Sequence, residues 1–185
     1  LTGGIKELSE AHTFTFWPAP LNLFESDDGS ITQNLPFGFK FYGVTYTQCY
    51  VNMNGNVTFG SGDSNWVETV AQMLSDEPRI AGMWHDLGPH QVSPGQSGTR
   101  VQTRQIYSGL EQALVVEFIN VPNRTSSTVG SNGDGANTFR IILHADNSIT
   151  FAYLDCTLLD CLVGISPGGG ISSATEKDLT SSGRA

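Results

Sequence analysis

Residues 35–86 read LPFGFKFYGVTYTQCYVNMNGNVTFGSGDSNWVETVAQMLSDEPRIAGMWHD, and this stretch decides the fold class. Phe37, Phe39 and Phe41 recur at period two, the spacing that puts alternate side chains on one face of a strand. Tyr42-Gly43-Val44 turns the chain into a second strand, Tyr46 to Val51. Asn54-Gly55 suits the positive φ values of a tight type I′ hairpin turn, so Val57-Thr58-Phe59 is expected to return antiparallel to Tyr50-Val51. Val67 to Glu77 carries Val67, Val70, Ala71 and Leu74 at helical spacing and stops at Pro78, which predicts one short helix capping an end of the domain. Arg79 to Trp84 then reads as a mostly apolar, buried strand.

Working outward, Thr13 to Trp17 alternates hydroxyl and aromatic residues before Pro18 and reads as a strand. Leu21 to Phe24 is apolar, and Ser26 to Ser30 is a turn by composition. Thr99 to Tyr107, Ala113 to Val121, Thr138 to His144 and Ile149 to Tyr153 follow as a meander, with Leu162 to Ile165 as a last short strand. Two Gly- and Ser-rich loops, Gly88 to Gly98 and Asn123 to Asn137, interrupt it and are expected to be variable, binding-competent surfaces, the second long enough to be mobile. The pattern predicts an all-β fold, an antiparallel β-sandwich of jelly-roll type with one short helix. Residues 1–12 read as an N-terminal extension, 13–170 as a single domain and 171–185 as a C-terminal linker. Leu1-Thr2-Gly3-Gly4 has the composition of an interdomain start, so the domain is expected to belong to a larger exported protein.

With 185 residues, 38% of them hydrophobic, the chain can bury one substantial core. Only 15% are charged, so its surface must be rich in Ser, Thr, Asn and Gly. A formal charge of -9 gives a field that repels phosphate backbones, and the basic residues form no stripe; both argue against nucleic acid and against membrane attachment through a basic patch. No segment has the continuous apolar length of a membrane-spanning helix. Of the three cysteines, Cys156 and Cys161 flank Thr-Leu-Leu-Asp and are close enough for a local disulfide, leaving Cys49 as a buried thiol in an aromatic alternation. Asn56 and Asn123 head N-x-Thr sequons, which permit glycosylation in a secreting host.

Phe37 to Tyr42, Tyr46-x-x-x-Tyr50-Val51-Asn52-x-Asn54-Gly55-Asn56-Val57-Thr58-Phe59-Gly60, and Pro78-Arg79-Ile80-Ala81-x-x-Trp84-x-Asp86 together resemble a nidogen-type (NIDO-like) extracellular domain, in particular its bacterial secreted relatives. The resemblance continues in order through Val115-Val116-Glu117-Phe118, the Phe139 to Tyr153 strands and Val163-Gly164-Ile165-Ser166-Pro167-Gly168, covering roughly residues 35–170. It implies an extracellular β-sandwich of the kind found in adhesion proteins and beside the catalytic domains of secreted enzymes, and it implies no catalysis. The chain departs from the pattern at His85, where an acidic residue is frequent, at Gly82-Met83, which replaces a Pro-hydrophobic pair, and at the Cys156/Cys161 pair.

Three functions compete on the residues. The leading one is a non-catalytic binding, adhesion or accessory module, extracellular, whose partner is an extracellular protein, a matrix component or a glycan. The second is a carbohydrate-binding module stacking sugars on Trp66 or Tyr107, the rings most readily placed outside the core, although Trp66 also suits packing against the helix. Trp17 and Trp84 lie in apolar alternations and read as core. The third is a metal-dependent hydrolase in which His85, Asp86 and His90 chelate a transition metal. Asp27-Asp28-Gly29, Gly62-Asp63-Ser64 and Asn132-Gly133-Asp134-Gly135 offer oxygen ligands for calcium, with Asp63 and Asp86 the chosen candidates because both terminate strands. There is no nucleophile elbow and no phosphate loop. Glu117 faces away from Val116 and Phe118 in its strand and is expected to be solvated.

Overall fold

The computed structural model describes residues 21–22, 26–96, 98–108, 111–158, 160–170 and 177–178; the expected strand at Thr13 to Trp17 lies outside them. Eleven strands and one helix occur among these residues: β1 (Leu21–Asn22), β2 (Ser30–Phe41), β3 (Val44–Asn52), β4 (Asn56–Thr58), α1 (Val70–Ser75), β5 (Arg79–Trp84), β6 (Arg100–Ser108), β7 (Glu111–Asn123), β8 (Asp134–His144), β9 (Ile149–Asp155), β10 (Leu162–Ser166) and β11 (Lys177–Asp178). They form two antiparallel sheets, β1-β6-β7-β8-β9 and β11-β10-β5-β4-β3-β2. The all-β sandwich read from the sequence is therefore the fold. β11 falls in the segment read as linker and pairs with β10.

One apolar core lies between the sheets. Phe39, Phe41, Val51, Val57, Ile80 and Met83 from one sheet are buried with Val101, Leu114, Val116, Phe118, Phe139 and Ile141 from the other. Aromatic contacts fix its ends: Tyr46 stacks on Phe59 at 4.6 Å and Phe118 on Phe139 at 4.6 Å. Cys49 is fully buried in this core, and burial pushes its thiol up to about 12.

The hairpin forms in the expected register, Tyr50 opposite Thr58 and Val51 opposite Val57. Its turn holds three residues, Met53 to Gly55, and of these only Gly55 has positive φ, at 81°. This differs from the two-residue type I′ turn because the Gly55 amide closes the loop on the Asn52 carbonyl at 3.2 Å, with Met53 inside it; the Gly55 carbonyl, left outside the turn, accepts from both the Gly82 and Met83 amides at 3.1 Å. Two successive amides on one carbonyl mark a β-bulge, and the β5–β10 register shifts at the same point. The bulge turns Met83 into the main core and Trp84 out to the other face. A Cβ on Gly82 would stand 2.7 Å from Ile141 Cγ1, so the two sheets touch where the chain departs from the family pattern.

A Cβ on Gly55 would run into the Met83 carbonyl oxygen. Gly55→Ala therefore meets a backbone clash and an unfavourable φ together, and is expected to destabilise the domain by roughly 3 kcal/mol. Urea unfolding followed by circular dichroism checks this; a loss below about 0.5 kcal/mol, the size of an ordinary surface change, would contradict it.

The helix is shorter than expected and sits elsewhere. Thr69 caps it by accepting from the Gln72 amide at 3.1 Å. Its inward residue is Met73, packed with Ala81, Trp84 and Leu162 on the outer face of the six-stranded sheet, while Val67 and Val70 are exposed. The helix is thus laid over β5 and β10, because the bulge presents Trp84 there as a surface needing cover.

Candidate functional site

The segment after β5 and the connection between β7 and β8 meet at one end of the sandwich. Strand β7 runs further than expected, to Asn123, and β8 starts early, at Asp134, which leaves a connection of 124–133. This loop is tied down by its neighbour: Gly88 donates to Pro122, Gly130 to His90, Val92 to Ser131 and Gly133 to Val92, all at 2.9–3.0 Å. Side chains repeat the pattern, since the buried Gln91 donates to Thr125 and Ser131 and accepts from the Thr125 amide. Two loops that read as variable surfaces are one hydrogen-bonded unit, with Val129 standing 78% exposed upon it.

Beneath this unit lie Asp27 and Asp28, before β2, and Asp86, just past β5. One carboxylate oxygen from each lies within 4.8 Å of the other two. Arg124 opens the β7–β8 loop and reaches Asp27 Oδ2 through Nε at 2.8 Å and Asp86 Oδ2 through Nη1 at 3.5 Å. Asn54 donates to Asp28 Oδ1 at 2.9 Å while its own carbonyl accepts from the Leu87 amide, coupling the cluster to the hairpin turn. Burial raises the Asp86 carboxyl, Arg124 lowers it, and Asp28 and Asp27 raise it again, leaving it above the ordinary value. His90 is buried against Asp27, its Nδ1 3.4 Å from Asp27 Oδ1.

Of the sequence-read metal set, Asp86 lies in the carboxylate cluster and His90 stands beside that cluster, against Asp27. The third, His85, lies apart, its Nδ1 2.9 Å from Glu68 Oε1. Asp63 belongs to a different network: it pairs with the fully buried Arg79 at 2.6 Å. Arg79 also donates to Asn56 Oδ1 at 2.7 Å, and its guanidinium carbon stands 4.0 Å over the Trp84 ring. Asn56 itself is fully buried, so this sequon has no room for a glycan in the folded domain. Cys156 and Cys161, between β9 and β10, pack against the main core, and no disulfide joins them in the structure.

Trp66 is 53% exposed in the connection between β4 and α1, and Tyr107 is 63% exposed on β6 of the other sheet, so the two rings form no common platform. The expectation for Glu117 is corrected: it is 1% exposed. It does face away from the main core, but it is covered by its cross-strand neighbours, with Arg104 on β6 and Arg140 on β8 closing over it and Gln102 donating at 2.6 Å. A small cavity of about 140 Å³ opens beside this cluster, walled by Asn120, Thr138 and Leu154. Asp27, Asp28 and Arg124 were the residues missed as a group. Asp27-Asp28-Gly29 was visible as an acidic turn, but only the pairing of β2 with β3 and the bend after β5 carry it to Asp86.

The NIDO-related family matches residues 7–182, and the chain belongs to that family of all-β extracellular-type domains. Among curated relatives, alpha-tectorin of Mus musculus and of Homo sapiens are each 25% identical over 170 residues. The match takes in 84% of this chain and 8% of either tectorin, so the chain spans a small part of the length of these relatives. No solved structure matches the chain. No helix among the described residues is long and apolar enough to cross a membrane.

Proposed function

We propose that the domain is a non-catalytic extracellular recognition module of a larger secreted or cell-surface protein. It binds an extracellular protein or matrix component through the exposed surface of residues 124–133, which the largely buried residues 87–93 hold from beneath. The observation that carries this reading is the interlocking of those two loops by their own backbone, which lets a polar surface recognise a partner without first being ordered. Family membership and the likeness to the alpha-tectorins support the extracellular setting. The groups with chemical potential support the non-catalytic one, since Glu117, Arg104 and Arg140, Asp63 and Arg79, and His85 and Glu68 are engaged with one another.

The test is surface plasmon resonance of the immobilised domain against purified extracellular matrix proteins, with a variant whose residues 126–130 are replaced by Gly and Ser. Saturable binding to one component, weakened tenfold or more in the variant, is expected. Equal binding by the two proteins, or none to any component, would sink the assignment.

A second reading is favoured by the exposure of Trp66, a ring free to stack on a sugar. Retention on a polysaccharide column that Trp66→Ala abolishes would put glycan recognition ahead of protein recognition. In the oxidising setting this function implies, Cys156 and Cys161 are proposed to pair. Peptide mapping of exported protein without reduction checks this, and recovery of both as free thiols would refute the pairing.

A further inference from the structure

We infer that Asn123 is a site of N-linked glycosylation, taking an oligosaccharide on its side-chain amide at the rim of the recognition surface. The inference rests on the extracellular setting proposed above, because the modification is made during export. Asn56-Val57-Thr58 and Asn123-Arg124-Thr125 are both acceptor tripeptides by sequence, and the fold separates them.

The deciding atom is the side-chain amide nitrogen, which carries the sugar. Asn56 is fully buried and both ends of its amide are used: Oδ1 accepts from Asn52 and Arg79, and Nδ2 donates to the Asn54 carbonyl at 3.4 Å. Asn123 ends β7 half-buried, and only one end of its amide is used. A neighbour fixes which end. The buried Asn137 accepts on Oδ1 from the Thr157 and Leu158 backbone amides, at 2.9 and 3.3 Å, so its Nδ2 is the atom that reaches the Val121 carbonyl and Asn123, each at 3.0 Å. A donor in that position requires Asn123 to present Oδ1. Asn123 Nδ2 is therefore turned away from Asn137; it makes no hydrogen bond among the described residues and is not a buried atom.

Thr125 sets the order of events. Its Oγ1 donates to the Asn132 carbonyl at 2.7 Å and accepts from Gln91 Nε2 at 3.2 Å, so the hydroxyl of the acceptor tripeptide is free only until residues 124–133 close on residues 87–93. Transfer precedes that closure, on the emerging chain, and the fold then accommodates the sugar because Nδ2 opens to solvent. The donor is an oligosaccharide carried on a lipid diphosphate. A bond forms from Asn123 Nδ2 to the anomeric carbon, the bond from that carbon to the diphosphate oxygen breaks with its electron pair going to the leaving diphosphate, and one amide proton passes to a base. Only the nitrogen is consumed, so Oδ1 keeps its bond from Asn137. Because Asn123 directly precedes the β7–β8 loop, the glycan flanks the recognition surface.

The experiment expresses the full chain behind an export signal in cultured animal cells and compares the secreted protein before and after peptide-N-glycosidase, which leaves aspartate where a glycan stood. A single mass step per chain is expected, and peptide mapping after digestion in heavy-oxygen water should label Asn123 and leave Asn56 unlabelled. Asn123→Asp keeps the oxygen that Asn137 needs and loses the nitrogen, so it is expected to be secreted without the mass step. Thr125→Ser, which retains the hydroxyl, keeps the step. Secreted protein with Asn123 unmodified, or with the label at Asn56, overturns the site, as does a glycan at Asn123 found only on chain retained in the cell. These outcomes are read from modification alone, so they stand apart from the matrix-binding result that decides the recognition reading.

Discussion

Arg79→Ala is expected to cost the domain about 4 kcal/mol of stability, because it strands one buried charge and uncovers a large ring. Arg79 is fully buried at the start of β5, yet three different parts of the chain depend on it. Its Nη2 pairs with Asp63 at 2.6 Å, its Nη1 donates to Asn56 at 2.7 Å, and its guanidinium carbon stands 4.0 Å over the Trp84 ring. Asp63 is 8% exposed and has no second cationic partner among the described residues, so truncating Arg79 leaves an uncompensated carboxylate. Arg79→Lys restores a charge but neither the fork that serves Asp63 and Asn56 together nor the flat face that covers Trp84. Urea melts of the two variants are the measurement: alanine the worse, lysine recovering less than half the loss. Equal stability of Arg79→Ala and the unmodified protein would show that the network contributes nothing.

Glu117→Gln is expected to cost about 3 kcal/mol at neutral pH, by leaving two nearly buried guanidiniums without their counter-charge. Burial alone would raise the Glu117 carboxyl, but hydrogen bonds from Arg104 and Gln102 and the charges of Arg140 and Arg104 outweigh it. The group ends below its ordinary value. A carboxyl lowered by folding adds stability that is fully present above its unfolded value, about 4.3, and is lost as pH falls through the lower folded value. The gap between Glu117→Gln and the unmodified protein should therefore be constant from pH 7 down to about 5 and close in stronger acid. A gap that widened on acidification would contradict this sign.

The sequence carried the strand pattern well where a local rule was enough. Phe39, Phe41, Val57 and Ile80 could be placed in the core from period-two alternation beside turn residues, and all are buried. Local rules failed where a distant partner decided the outcome. The bulge at Gly82-Met83 depends on the Gly55 carbonyl, so nothing within Arg79 to Trp84 shows that Trp84 turns outward and draws Met73, rather than Leu74, beneath the helix. Glu117 looked solvated because its own strand says nothing about the arginines lying beside it on β6 and β8. Asp63 and Asp86 had equal claims as strand-end carboxylates. Only the fold separates them, giving Asp63 to Arg79 and Asp86 to Asp27 and Asp28.

The claim that the recognition surface is fixed before any partner arrives is tested most directly by native-state hydrogen exchange in the free domain. The amides of Gly88, Val92, Gly130 and Gly133, which tie residues 87–93 to the end of β7 and to the 124–133 loop, are expected to exchange at least a hundredfold slower than unprotected peptides, since each donates to a carbonyl of the neighbouring segment. Exchange of these four at unprotected rates would mean that the loops move independently, and recognition would then have to proceed by ordering them on the partner.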